Sequence, residues 1–124
     1  MAPTRAHGKI CYIQIPAEDV RRSAEFYVEC FGWQTRTRPD GALAFDDGVG
    51  EISGEWVIGR LPAATGLMVY VMVDDLEAAC ETVIANGGAI EAPVGVDAGE
   101  MTAHIRDPFG NVLGIYQEPG EPSR

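Results

Sequence analysis

The feature that most restricts the fold is an internal repeat. Asp19 and Gly32 recur as Asp75 and Gly88, both at an offset of 56 in a chain of 124 residues. Self-similarity over nearly half a chain points to two copies of one supersecondary unit. In the first copy, residues 9–15 (KICYIQI) suit a strand. Val20, Ala24, Tyr27 and Phe31 then recur at helical spacing until Gly32 stops the pattern. In the second, Leu67 to Val73 (LMVYVMV) reads as a strand, and Leu76, Cys80 and Val83 repeat the helical stripe before Gly87 and Gly88. Strand-like stretches follow each helix: 33–38, 42–45 and 55–60 in the first half, and 89–91, 101–106 and 112–117 in the second. Turns are marked by Pro39-Asp40-Gly41 and Asp46-Asp47-Gly48. The expected architecture is α+β, with two tandem βαβββ modules in one domain spanning 1–124. Module 1 covers about 9–61 and module 2 about 67–118, with Pro62 to Gly66 as the linker and 119–124 as a tail.

Strand side chains alternate, so each first strand has two unlike faces. Cys11, Ile13 and Ile15 share one, as do Leu67, Val69, Val71 and Val73 in the repeat, and these aliphatic sets are expected to pack under the helices. The opposite faces carry Ile10, Tyr12 and Gln14, and Met68, Tyr70 and Met72. That mixture of aromatic, amide and thioether groups suits a cavity lining. Residues Arg106 to Asn111 have the Pro and Gly of a hairpin tip. If Asp107 faces Asn111, paired positions obey 107 + 111 = 218, which sets His104 opposite Gly114 on a face shared with Val112 and Tyr116.

Charge and composition exclude several classes of partner. Lys and Arg number 9 against 19 Asp and Glu, a formal net charge of −10. That field repels phosphate backbones and anionic lipid, so neither a nucleic acid nor a membrane is expected as partner. No stretch approaches the roughly 20 apolar residues that span a bilayer. The first residues hold no apolar run of signal length, and Cys11, Cys30 and Cys80 form no CxxC pair and leave one cysteine over. A cytoplasmic location is expected.

Several motifs together resemble the vicinal oxygen chelate superfamily, the group of glyoxalases, bleomycin resistance proteins and extradiol dioxygenases. They are Ile15-Pro16-Ala17-Glu18-Asp19 leading to Phe26-Tyr27 and Phe31-Gly32-Trp33, then Val73-Asp74-Asp75-Leu76-Glu77, then Asp107-Pro108-x-Gly110-Asn111. The resemblance covers about residues 9–118. It implies paired βαβββ modules whose curved sheets make a cleft, usually in a homodimer. In metal-dependent members a His or Gln on the first strand of a module and a Glu on its last strand supply the ligands. The matching positions here are Tyr12, Met68 and Gly114, none of which binds a hard divalent ion well. Glu55 is a possible carboxylate, but one ligand does not make a site. No metal and no cofactor are expected.

Other candidate chemistry is sparse. His7 lies in the N-terminal segment. His104 could donate a hydrogen bond or shuttle a proton in the cavity, or be a strand histidine bonded across the sheet. The cysteines lie where packing accounts for them, and neither Ser23 nor Ser53 belongs to a hydrolase triad. Gly48-Val49-Gly50 gives GxGxxxG among acidic residues, the pattern of a solvated turn or cavity edge and not of a phosphate loop. Trp56, Tyr12, Tyr70 and Tyr116 could wall an organic ligand, with Met68 and Met72 adaptable beside them, although a strand Trp also suits a core. Arg106 could add a cationic end. The candidate ligand-binding set is therefore Tyr12, Gln14, Trp56, Met68, Tyr70, His104, Gly114 and Tyr116. The expected function is metal-independent binding of a small organic molecule in the sheet cleft. The alternatives are a glyoxalase-type lyase or isomerase using His104, Tyr12 or a Glu, and a dimeric interaction module with a vestigial pocket.

Overall fold

The structure is a computed structural model that describes residues 2–95 and 101–119. It is α+β: two four-stranded mixed sheets, each with one helix, in two compact units, residues 1–61 and 62–124.

In unit 1, β1 (Tyr12–Pro16) leads to α1 (Val20–Phe31), β2 (Gln34–Thr37), β3 (Leu43–Asp46) and β4 (Ser53–Val57). Asp19 caps α1 by accepting a hydrogen bond from the Arg22 amide at 3.0 Å, and Gly32 ends it at φ 70°, where a side chain would be strained. The strand order is β1-β4-β3-β2, with β1 parallel to β4 and the other pairs antiparallel. One face packs against α1 through a continuous aromatic cluster. Tyr27 stacks on Trp33 (centroids 4.9 Å), Trp33 on Phe45 (4.6 Å), and Phe45 lies 4.8 Å from Trp56. Phe26, Tyr27 and Phe45 are wholly buried. Burying each such ring removes apolar area worth about 1.5–3 kcal/mol.

Unit 2 repeats the order: β5 (Tyr70–Met72), α2 (Leu76–Ala85), β6 (Ala89–Ala92), β7 (Thr102–Arg106) and β8 (Val112–Tyr116), arranged β5-β8-β7-β6. Asp75 caps α2 by accepting from the Ala78 amide at 3.0 Å, and the Gln117 side chain accepts from the Leu76 amide at 2.8 Å. The core under α2 is aliphatic: Leu76, Val83, Ile105, Leu113 and Ile115 are buried. The Asp107–Asn111 tip is a buried polar plug. Asp107 accepts from the amides of Phe109 and Asn111 and from the Asn111 side chain, whose own oxygen accepts from the Ala63 amide. The residues that marked a hairpin in the sequence therefore also pin down residue 63.

Three expectations are corrected. The first strand of unit 1 starts at Tyr12, so Cys11 is exposed and does not pack under α1. The first strand of unit 2 spans only Tyr70–Met72; Leu67 is 99% exposed and Val69 39%, so neither lies beneath α2. The aliphatic alternation there continues past the stretch that finds a hydrogen-bonding partner. The third concerns α2, whose buried stripe is Leu76, Ala79 and Val83, with Cys80 one position off it and half-buried.

Candidate functional site

Each unit turns one sheet face away from its helix, and these two faces carry the polar and aromatic groups. In unit 2 the count across the hairpin holds: His104 pairs with Gly114, and Tyr70 pairs with Gly114 from the other side. The Tyr70 ring lies across Gly114 and brings its hydroxyl to 3.2 Å from His104 Nε2, the two rings meeting edge to face at 6.1 Å. Gly114 is what allows this. A Cβ there would run into Cδ2 and Cε2 of Tyr70 and come within 2.8 Å of Cζ. Tyr116 lies on the same face, where its hydroxyl donates to Glu118 at 2.6 Å. Met72 shares the face and is exposed, and Met68 precedes β5 and is exposed too. Arg106, the last residue of the inner strand β7, is held by Glu91 (2.8 Å) and the Gly110 carbonyl (3.2 Å).

In unit 1 the corresponding face holds Tyr12, Gln14 and Glu55, joined there by Arg36, Arg38 and Asp46, whose part in it sequence reasoning missed. Gln14 pairs with Glu55 in the strand register and donates to its carboxylate at 2.9 Å. Arg38 donates to the Tyr12 hydroxyl at 2.8 Å and lies 3.7 Å from Glu55. Arg36 forms a two-pronged pair with Asp46 (3.0 and 3.2 Å), and Ser53 donates to the same carboxylate at 2.6 Å. The Arg36 guanidinium and the Ser53 hydroxyl together hold the Asp46 carboxyl below its usual range. A cavity of about 480 Å³ opens here, lined by Gln34, Arg36, Asp46 and Ser53, by the turn at Asp47–Gly50 and by Pro3. The available signal was the alternation of Arg36 with Arg38 and of Ser53 with Glu55, which puts four polar side chains on one face. Trp56, in contrast, is 4% exposed on the helix side among Tyr27 and Phe45, so it belongs to the core and not to this face.

Cys30 and Cys80 offer no nucleophile in a favourable setting. Burial, with Glu29 adding to it, pushes the Cys30 thiol up to about 11, and burial together with Glu77 also raises Cys80.

A family model for the Glyoxalase/Bleomycin resistance protein/Dioxygenase superfamily matches residues 9–115. The chain belongs to that superfamily. A glyoxylase-like domain-containing protein of Didymella fabae is 37% identical over 126 residues, spanning 93% of this chain and 98% of that one. Among solved structures, a superfamily member from Sphaerobacter thermophilus aligns with a TM-score of 0.71 at 18% identity, over 90% of this chain and 98% of the other. TnmS3, an antibiotic-binding protein from Streptomyces sp. CB03234, aligns at 0.67 and 22% identity, over 92% and 98%. At these identities the structural likeness establishes the fold.

Superfamily membership raises the question of a metal, and the residues at the positions that match its ligands do not fit one. Among the described residues no group of three or more His, Cys, Asp or Glu side chains could hold an ion. The matching positions carry Tyr12, Met68 and Gly114, and the Tyr70 ring fills the space that a ligand side chain at 114 would need.

Proposed function

We propose that the protein binds a small organic molecule without a metal, as a cytoplasmic homodimer, with the face of β5, β8 and β7 that carries Tyr70, Gly114 and His104 as its binding surface. The observation that carries this reading is the Tyr70 ring laid across Gly114 with its hydroxyl against His104. A flat aromatic surface ending in a polar pair can stack on a ligand ring and hydrogen-bond to a substituent, with the exposed Met72 adapting to its outline. An antibiotic-binding protein with a similar fold supports small-molecule binding as the use of this chain.

The enzyme reading has one observation in its favour. The Glu55 carboxylate and the Tyr12 hydroxyl, a possible base and acid, both approach Arg38 on the unit 1 face. Thermal melts with Ni²⁺, Zn²⁺, Mn²⁺ or Fe²⁺, and separately with a panel of planar aromatic compounds, test both readings. Metal-free sequestration predicts no metal-dependent shift and a ligand-dependent one, since a ligand at 100 times its Kd adds about 2.7 kcal/mol. That shift should disappear in Tyr70→Ala and occur without turnover. Stoichiometric metal with a raised Tm would refute the proposal, and turnover abolished by His104→Ala or Glu55→Gln would establish the enzyme.

A further inference from the structure

The geometry points to a carboxylate-binding site on the face of unit 1 turned away from α1, built from the guanidinium of Arg38 and the hydroxyl of Tyr12. The two arginines of this face are in different states. Arg36 has Nε and Nη2 both committed to Asp46, a closed pair. Arg38 uses only Nη1, which donates to Tyr12 at 2.8 Å and lies 3.7 Å from Glu55, beyond hydrogen-bond length. Glu55 is turned instead to Gln14, whose amide donates to its other oxygen. Among the described residues, Nε and Nη2 of Arg38 meet no acceptor, and the side chain is 40% exposed.

Tyr12 completes the site. Its oxygen accepts from Arg38 Nη1, so its own proton is left to donate to a ligand. Beside the Glu55 carboxylate, which Gln14 already engages, the site offers donors, and two of them form the planar fork that matches a carboxylate. Glu55 so close to Arg38 repels a dianion more than a monoanion, which favours a carboxylate over a phosphate. The organic body of such a ligand has room nearby: Ser53, which lines the cavity of about 480 Å³, sits directly opposite Tyr12 in the β1–β4 register. That volume is within the range of small-molecule pockets. The inference stands on unit 1 alone and does not depend on Tyr70 or His104.

The test is a ¹H–¹⁵N NMR titration of the full chain with benzoate, alongside its uncharged isostere benzamide and inorganic phosphate. Benzoate should give saturable shifts at the Arg38 Nε–H and the Ser53 amide. Benzamide should bind about 10-fold more weakly or worse, as expected for loss of a charge-assisted bidentate pair. Arg38→Met should bring benzoate down to the benzamide level. Arg38→Lys, which keeps the charge but not the fork, should lose most of the advantage, and Tyr12→Phe should weaken binding a few-fold. Benzamide binding as tightly as benzoate, benzoate affinity unchanged in both Arg38 variants, or phosphate binding more tightly than benzoate would each overturn the inference.

Discussion

Gly114 and Tyr70 should be energetically coupled, and the sign of one substitution should depend on the other. Gly114 is not at positive φ, so its backbone accepts any residue, and the obstacle to a side chain is the Tyr70 ring. In Gly114→Ala the new methyl would sit 2.8 Å from Cζ and nearer still to two other ring carbons, where carbon atoms rest at about 3.5–4.0 Å. The ring must retreat by roughly 1 Å, which breaks its 3.2 Å contact with His104. Losing that hydrogen bond costs about 0.5–1.5 kcal/mol. Overpacking adds a cost at the low end of about 1–3 kcal/mol, because Tyr70 is 46% exposed and can swing outward. Against this, alanine in a strand is favoured over glycine by about 0.5–1 kcal/mol. The net effect in the native background is a destabilisation of about 1 kcal/mol. In a Tyr70→Ala background the obstacle is gone, and the same substitution should stabilise by about 0.5 kcal/mol or more. Urea denaturation of the four proteins in the cycle measures the coupling, expected near 1.5–2 kcal/mol. Gly54 is the control: a Cβ there would strike the Ile13 carbonyl as well as the Phe45 ring, so removing the ring should not rescue Gly54→Ala. Equal effects of Gly114→Ala in both backgrounds would refute the account of why residue 114 is glycine.

Three further outcomes follow from the contacts described above. Asn111→Ala removes partners from the buried Asp107 carboxylate and the Ala63 amide, and should cost about 2–4 kcal/mol in chemical denaturation, far more than an exposed Asn→Ala change. Because Arg36 and Ser53 lower the Asp46 pKa, the pair stabilises above the unfolded carboxyl value of about 3.9 and loses that contribution as pH falls through the lower folded value; the urea midpoints of wild type and Asp46→Asn should therefore converge as pH falls below the unfolded value. At pH 8 a thiol with a pKa of about 11 is only about 0.1% thiolate, so iodoacetamide should modify the exposed Cys11 well before Cys30, as read by peptide mass mapping.

Much of the fold was legible because it rests on local rules. The 56-residue offset pairs the two Asp caps, whose side chains accept from the third residue of each helix. The count across the Asp107–Asn111 tip sets the register that places His104 by Gly114. What local rules could not supply was the extent of β5, since the alternation from Leu67 to Val73 runs beyond the three residues in the strand. Nor could they place Trp56, whose face depends on the parallel pairing of Ile15 with Trp56, a contact between strands separated by the whole of α1, β2 and β3. The Arg38–Tyr12 contact was equally out of reach, because it joins residues 26 apart with α1 and β2 between them.

The residues that mark the superfamily and the residues that face solvent do different work. Asp19, Gly32 and Asp75 cap or end helices, and Asp107 and Asn111 are spent on a buried plug that fixes residue 63. Each satisfies backbone groups that would otherwise be unpaired, so the fold needs them whatever the chemistry. Positions 12, 68 and 114 carry no such obligation. There the chain has a tyrosine bonded to an arginine, an exposed methionine, and a glycine that admits a tyrosine ring. The motifs therefore specify architecture, and the two binding surfaces proposed for this chain, at the Tyr70–His104 and Tyr12–Arg38 contacts, lie where it departs from the superfamily's metal-binding pattern.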